Sequence, residues 1–105
     1  MTRVTGEAAT ADAARVIRRL CRHWAHKFPV KFDDNSGEIQ INDVRVAMQA
    51  SAETLHVTLE NPTGEVPARL PGVVADHLAR MAGAESGLQV HWQAPEATSP
   101  IDPQG

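Results

Sequence analysis

The sequence predicts an α+β fold in which two helices pack on one face of a mostly antiparallel sheet. Two segments carry apolar residues at three- and four-residue spacing, which is typical of amphipathic helices. Between them, short segments alternate apolar and polar residues with period two, as strands with one buried and one wet face do. With one strand before the first helix and one after the second, the predicted order is β-α-β-β-β-β-α-β.

The first half of the chain begins with a predicted strand over residues 2–8. From Thr10 the period changes to that of a helix, for which Thr10 is the expected cap. Pro29 ends the helix, because the residue before a proline avoids the helical region. The apolar stripe of this helix consists of Ala13, Val16, Ile17, Leu20, Cys21, Trp24 and Phe28.

The middle of the chain predicts an antiparallel meander, with strands over residues 30–32, 38–41, 44–49 and 55–60. Asn42 and Asp43 form a tight turn between two of these strands. The second helix covers residues 71–82, because proline is tolerated in a first turn and Gly83 suits the position after the last turn. A final strand follows over residues 88–92.

Composition indicates one globular domain. The 105 residues are 42% hydrophobic and 22% charged, which is ordinary for a folded protein. A single cysteine, Cys21, excludes an internal disulfide framework and fits a reducing compartment. We assign residues 1–94 to one α+β domain and residues 95–105, with three prolines and no apolar pattern, to a disordered tail.

Charge and hydropathy exclude several classes of partner. The formal net charge of −3 offers no general attraction to nucleic acid or to an anionic membrane. The first residues lack the apolar run of a signal peptide, and no apolar stretch approaches the roughly 20 residues that span a bilayer. We therefore expect a cytoplasmic protein that binds neither nucleic acid nor membrane.

The end of the first helix carries the residues most suited to bind a metal. His23 and His26 are three residues apart on neighbouring azimuths, so both imidazoles could reach one cation such as zinc. Cys21 points roughly 160° away from His23, at about 100° per residue, and is expected to pack as a small hydrophobe. Two ligands are fewer than zinc normally takes, so the alternative is that these histidines favour the helix C-terminus through its dipole.

Two further features suggest ligand binding. Arg15, Arg18, Arg19, Arg22 and His26 share the face opposite the apolar stripe, which could recognise an anionic ligand or simply be a solvated surface. His77 lies on the apolar stripe of the second helix. A histidine in that position is expected to bond to the backbone, or to join a polar network with the first helix.

Three segments together resemble the bacterial family known as domain of unknown function 2218. They are Leu-Cys-Arg-His-Trp-Ala-His-Lys at residues 20–27, Val-Lys-Phe-Asp at residues 30–33 and Val-Val-Ala-Asp-His-Leu at residues 73–78. The resemblance extends from about residue 3 to residue 92. It implies the fold but no activity, since the family has none established. Similar domains are associated with siderophore-interacting reductases, which implies an iron-handling context and adds iron to zinc as a candidate metal.

The leading hypothesis is a non-enzymatic accessory domain that binds a metal, a small ligand or a protein partner through the first helix. His23 and His26 would bind the metal. Arg19, Arg22 and His77 would contact the ligand, and a siderophore-interacting reductase is the expected partner. One alternative is an enzyme that uses His77 and His23 for acid–base chemistry in a cleft between the helices. The other is an interaction module that docks its arginine face on an acidic protein.

Overall fold

The α+β fold and the predicted order of elements are confirmed by the computed structural model, which describes residues 2–83 and 86–93. The predicted tail lies outside these ranges, and the single-domain assignment of residues 1–94 stays a prediction. The elements are β1 (Thr2–Ala9), α1 (Ala13–Trp24), β2 (Val30–Phe32), β3 (Ser36–Ile41), β4 (Val44–Ala50), β5 (Thr54–Asn61), α2 (Leu70–Ala82) and β6 (His91–Trp92).

The six strands form one sheet in the order β2-β3-β4-β5-β1-β6, and every neighbouring pair is antiparallel. Strands β2 to β5 form the predicted meander. The first strand, β1, pairs with β5 along its whole length, from Thr2 opposite Asn61 to Ala9 opposite Thr54. The first strand of the chain therefore lies inside the sheet, between β5 and β6, and the last strand lies at an edge.

The core lies between the sheet and α1. Six residues of α1 are buried, and they belong to the apolar stripe that the sequence predicts. The helix lies unusually close to the backbone of β3 at Gly37, where a Cβ atom would lie 2.6 Å from the sulfur of Cys21 and 2.7 Å from Ile17 Cγ2. A glycine at this position therefore allows α1 to sit directly on the sheet.

Helix α2 packs chiefly against α1 and buries only Val74 and Leu78 within its own length. It begins one residue before the predicted 71–82 and ends at Ala82, as predicted. Gly83 follows it with a φ of 100°, which is accessible mainly to glycine. No helix in residues 2–83 and 86–93 is long and apolar enough to cross a membrane.

Several boundaries differ from the sequence prediction. Helix α1 ends at Trp24, four residues before Phe28, although Pro29 was expected to end it, and β3 begins at Ser36 rather than at residue 38. Helix α1 starts at Ala13, and Thr10 does not cap its free N–H groups; the Thr10 hydroxyl accepts a bond from the Asp12 backbone N–H at 3.1 Å. The closing strand pairs only at His91–Trp92. The Trp92 ring occupies the space a Cβ at Gly6 would need, at 2.6 Å, so this short pairing still packs on the core face.

Candidate functional site

Three histidines from the two helices come together at the surface. The ring centroids of His23 and His77 are 5.8 Å apart, and those of His23 and His26 are 6.4 Å apart. We call these three residues the histidine cluster. The sequence placed His23 and His26 side by side, and the packing of α2 on α1 adds His77 to them.

His77 is held in place by both helices. Its Nδ1 lies 2.8 Å from the carbonyl oxygen of Val73, one helical turn earlier, so Nδ1 carries the proton and donates it. Its ring lies against buried Trp24, with centroids 4.7 Å apart. This arrangement directs the remaining nitrogen, Nε2, away from the backbone bond and leaves it as an acceptor or ligand. The predicted backbone bond therefore occurs. The contact of His77 with α1 consists of ring packing on His23 and Trp24, with no hydrogen bond from His77 to α1 among the described residues.

His23 and His26 are both exposed, in the last turn of α1 and in the turn that follows it. Their rings are nearly perpendicular, at 88°. Within the described residues, no group of three or more histidine, cysteine, aspartate or glutamate side chains is arranged to hold a metal ion. Since zinc sites in proteins use three or four protein ligands, the cluster alone does not form a complete zinc centre.

Arginines lie on the same surface of α1, since Arg19 is four residues before His23 and Arg22 is four residues before His26. Arg19 and Arg22 are exposed and Arg18 is half-buried, and none of the three forms an ion pair with any residue that the structure describes. We call these three residues the cationic surface. Arg15 differs, because its guanidinium bonds the Asp12 carboxylate at 3.1 Å. The positive charge is concentrated here, since residues 13–32 contain six lysines and arginines and no acidic residue.

Cys21 takes no part in this surface. It is fully buried against β3, and burial raises the pKa of its thiol to about 11, while a bond with the backbone of Glu38 acts weakly in the opposite direction. A thiol with that pKa is almost entirely protonated at neutral pH and is a poor ligand or nucleophile. This agrees with its place in the apolar stripe.

The other two histidines lie on the opposite, solvent-facing side of the sheet. Glu7 on β1 is directly opposite His56 on β5 and directly opposite His91 on β6. The His56 Nδ1 lies 3.7 Å from a carboxylate oxygen of Glu7. These residues therefore cannot complete the histidine cluster. The sequence analysis missed their alignment, because no local pattern shows that β1 lies between β5 and β6.

The fold and this helix surface define a small two-layer α+β domain with histidines and arginines on the outer side of its first helix. A profile of the family described as uncharacterized proteins conserved in bacteria, domain of unknown function 2218, matches residues 5–93, and the chain belongs to this family. It is similar to the NMR structure of PA4090 from Pseudomonas aeruginosa, with 38% identity and a TM-score of 0.69 over 89% of this chain and 96% of that chain. No curated protein matches the sequence.

Proposed function

We propose that this domain is a non-enzymatic binding module that takes a small anionic ligand on the outer surface of α1. Arg19 and Arg22 would pair with the anionic groups, and the histidine cluster would contact the remainder of the ligand. The observation that carries this proposal is the grouping of three imidazoles at a helix surface that also carries Arg19 and Arg22. These arginines lie one turn before His23 and His26 and have no acidic partner among the described residues. Arginine matches carboxylate and phosphate groups through paired N–H donors.

A metal fits this proposal best when it arrives inside an anionic chelate. Two exposed imidazoles leave most coordination positions of iron or zinc unfilled, and a chelator would fill them. The same complex would present negative charge to the cationic surface. An iron–siderophore complex has both properties. We therefore infer a cytoplasmic accessory role beside a siderophore-interacting reductase, which is the association that the family resemblance implies.

The first experiment is elemental analysis of untagged protein purified without chelator or nickel resin, followed by calorimetric titration. The probes are ferric citrate, citrate alone, inorganic phosphate, zinc chloride and ferrous iron. We expect ferric citrate to bind more tightly than citrate or either bare metal ion. The double variant H23A/H26A should abolish this binding. R19A/R22A should weaken it by roughly tenfold, about 1.4 kcal/mol.

The matched control is H56A/H91A, which removes two histidines from the opposite face of the sheet. It should bind ferric citrate as the wild type does. Because His23 and His26 are exposed, their double variant should also keep the melting temperature of the wild type. A large drop in melting temperature with unchanged binding would make these histidines structural. Failure of all five probes to bind would reject the proposal.

The enzyme hypothesis is supported by one observation, the 5.8 Å separation of the His23 and His77 rings on adjacent helices. Since Nδ1 of His77 is committed to the Val73 carbonyl, any proton transfer would use its Nε2. An activity lost in both H23Q and H77Q, with a bell-shaped pH profile, would favour this alternative over simple binding. Binding without turnover would exclude it for the ligands tested.

The interaction-module hypothesis is supported by the charge distribution, since the cationic surface occurs in a protein with a net charge of −3. Docking on an acidic protein would weaken steeply as salt screens the charges. A siderophore-interacting reductase mixed with this domain at two salt concentrations tests it directly. Association that does not change with salt would indicate contacts other than the cationic surface.

A further inference from the structure

A second candidate site lies at the end of the sheet where α2 begins. A cavity of about 310 Å³ lies between the β3–β4 turn, the end of β5 and the first turn of α2. Its walls are mainly apolar. Val73 is among the most exposed large hydrophobic residues described, at 39%. The apolar lining consists of Ile41, Val44, Pro67, Leu70 and Val73.

Residues of both charge signs line the same cavity without forming ion pairs with one another. Asp43 comes from the β3–β4 turn, Glu65 from the segment after β5, and Arg69 from the residue before α2. None of the three forms an ion pair within the part of the chain that the structure describes, so Arg69 lies more than 4.0 Å from either carboxylate. Opposite charges that share a cavity but remain apart leave space for a ligand carrying the complementary charges.

The wall that carries Glu65 is held in position. Asn61 is 6% exposed, and its Nδ2 donates to the carbonyl of Glu65 at 2.9 Å. Its Oδ1 accepts from the Thr63 backbone N–H at 3.1 Å and from the Thr63 hydroxyl at 3.3 Å. A buried amide with these bonds stiffens the segment after β5, so this side of the cavity is formed before any ligand arrives.

We propose that this cavity binds a small zwitterionic amphiphile with an aliphatic body, the chemical class of the free aliphatic α-amino acids. The ligand carboxylate pairs with Arg69, its ammonium group with Asp43 or Glu65, and its side chain with the apolar wall. A simple anion would face two carboxylates, and a simple cation would face Arg69. The volume is at the lower end of the range for ligand pockets, roughly 300–1,000 Å³, which suits a ligand of this size.

This site does not depend on the proposed function of α1, because the two use different side chains. Among the described residues they share Val73, whose carbonyl accepts the His77 bond and which also lines the cavity. Failure at one site therefore leaves the other proposal standing.

The test is an NMR titration of ¹⁵N-labelled protein with L-leucine, 4-methylpentanoate and isoamylamine. 4-Methylpentanoate is leucine without its ammonium group, and isoamylamine is leucine without its carboxylate. We expect saturable shifts at the amides of residues 41–44 and 69–73 with leucine, and at least about tenfold weaker binding of each analogue. R69A and V73D should lose leucine binding. The control R80A, which removes an exposed arginine from the last turn of α2, should keep it.

Arg69 and Val73 are exposed, so thermal melting of both variants should match the wild type. If V73D fails to fold, R69A decides the outcome alone. Three results would overturn the proposal. The first is the absence of saturable shifts with tens of millimolar leucine. The second is 4-methylpentanoate binding as tightly as leucine, and the third is R69A binding leucine like the wild type.

Discussion

The two helices of this domain differ in what they bury. Helix α1 buries one face completely, with six residues packed across strands β2 to β5. Helix α2 buries only Val74 and Leu78 and packs against α1 at the margin of the core. The difference shows that two kinds of surface can form beside one small core. A fully seated helix leaves its outer face free to carry charge, while a marginal helix leaves apolar side chains and a cavity beside it.

The histidine cluster depends on both helices. Helix α1 supplies a fixed position for His23, because Trp24 beside it is buried. Helix α2 adds His77, whose ring rests on Trp24 and whose Nδ1 bonds its own backbone. We therefore expect changes beneath α1 to affect the whole domain, and changes beneath α2 to affect mainly the cluster and the cavity.

The largest expected effect compares one buried leucine from each helix. Leu20 and Leu78 are both completely buried. Leu→Ala changes in cores cost about 2–5 kcal/mol, and the loss is greatest where neighbours cannot move into the space. We expect L20A near the upper end, at about 4 kcal/mol, and L78A near the lower end, at about 2 kcal/mol. Urea denaturation measures both. Equal losses would show that α2 is seated as firmly as α1.

Smaller changes in the free energy of unfolding are expected at two glycines, with one substitution destabilising and the other stabilising. Gly37→Ala should lower the free energy of unfolding by about 2 kcal/mol, because its methyl group would overlap Cys21 and Ile17. Gly72, in the first turn of α2, has no atom within 4 Å of a Cβ added there. Gly72→Ala should stabilise the domain by about 0.5 kcal/mol through lower backbone entropy in the unfolded chain. Thermal melting of both variants gives the sign directly.

The Cys21 thiol reports whether α1 stays docked. Burial raises its pKa to about 11, so the reactive thiolate is scarce and shielded at pH 8. We expect Ellman's reagent to react with the native protein at least about a hundredfold more slowly than with the urea-unfolded chain. Gly37→Ala should speed the reaction, and Leu78→Ala should change it less. Rapid labelling of the native wild type would contradict the tight seating of α1.

The smallest expected effect concerns the β2–β3 turn, which is distant from α2. The pKa of Asp33 lies below its ordinary value of 3.8, chiefly because its carboxylate accepts the backbone N–H of Asn35, with further bonds from Ser36. Its contribution to stability is therefore present above pH 3.8 and lost as pH falls through the lower, folded value. D33N should melt slightly below the wild type at pH 7, and this difference should shrink in strong acid. D34N, at the exposed neighbour, should show neither effect.

Local patterns in the sequence were sufficient for most of the secondary structure. The apolar stripe from Ala13 to Trp24 predicts the buried face of α1, and the alternation of β2 to β5 predicts the meander. The tight turn at Asn42 is also confirmed, with a φ of 55° that asparagine tolerates. The closing strand was predicted too long, since the apolar residues Leu88 and Val90 contact the core without pairing in the sheet.

By itself the sequence determined the features that follow from local periodicity. These are the fold class, the apolar stripes of the helices and the neighbouring positions of His23 and His26. Only the tertiary structure decided that His77 joins them, that His56 and His91 flank Glu7 on the other face, and that Arg69 faces a cavity. The physical reason is the separation in sequence between the residues that interact. Periodicity arises from bonds between near neighbours, whereas these sites arise where residues distant in sequence are brought together by burial of a shared core.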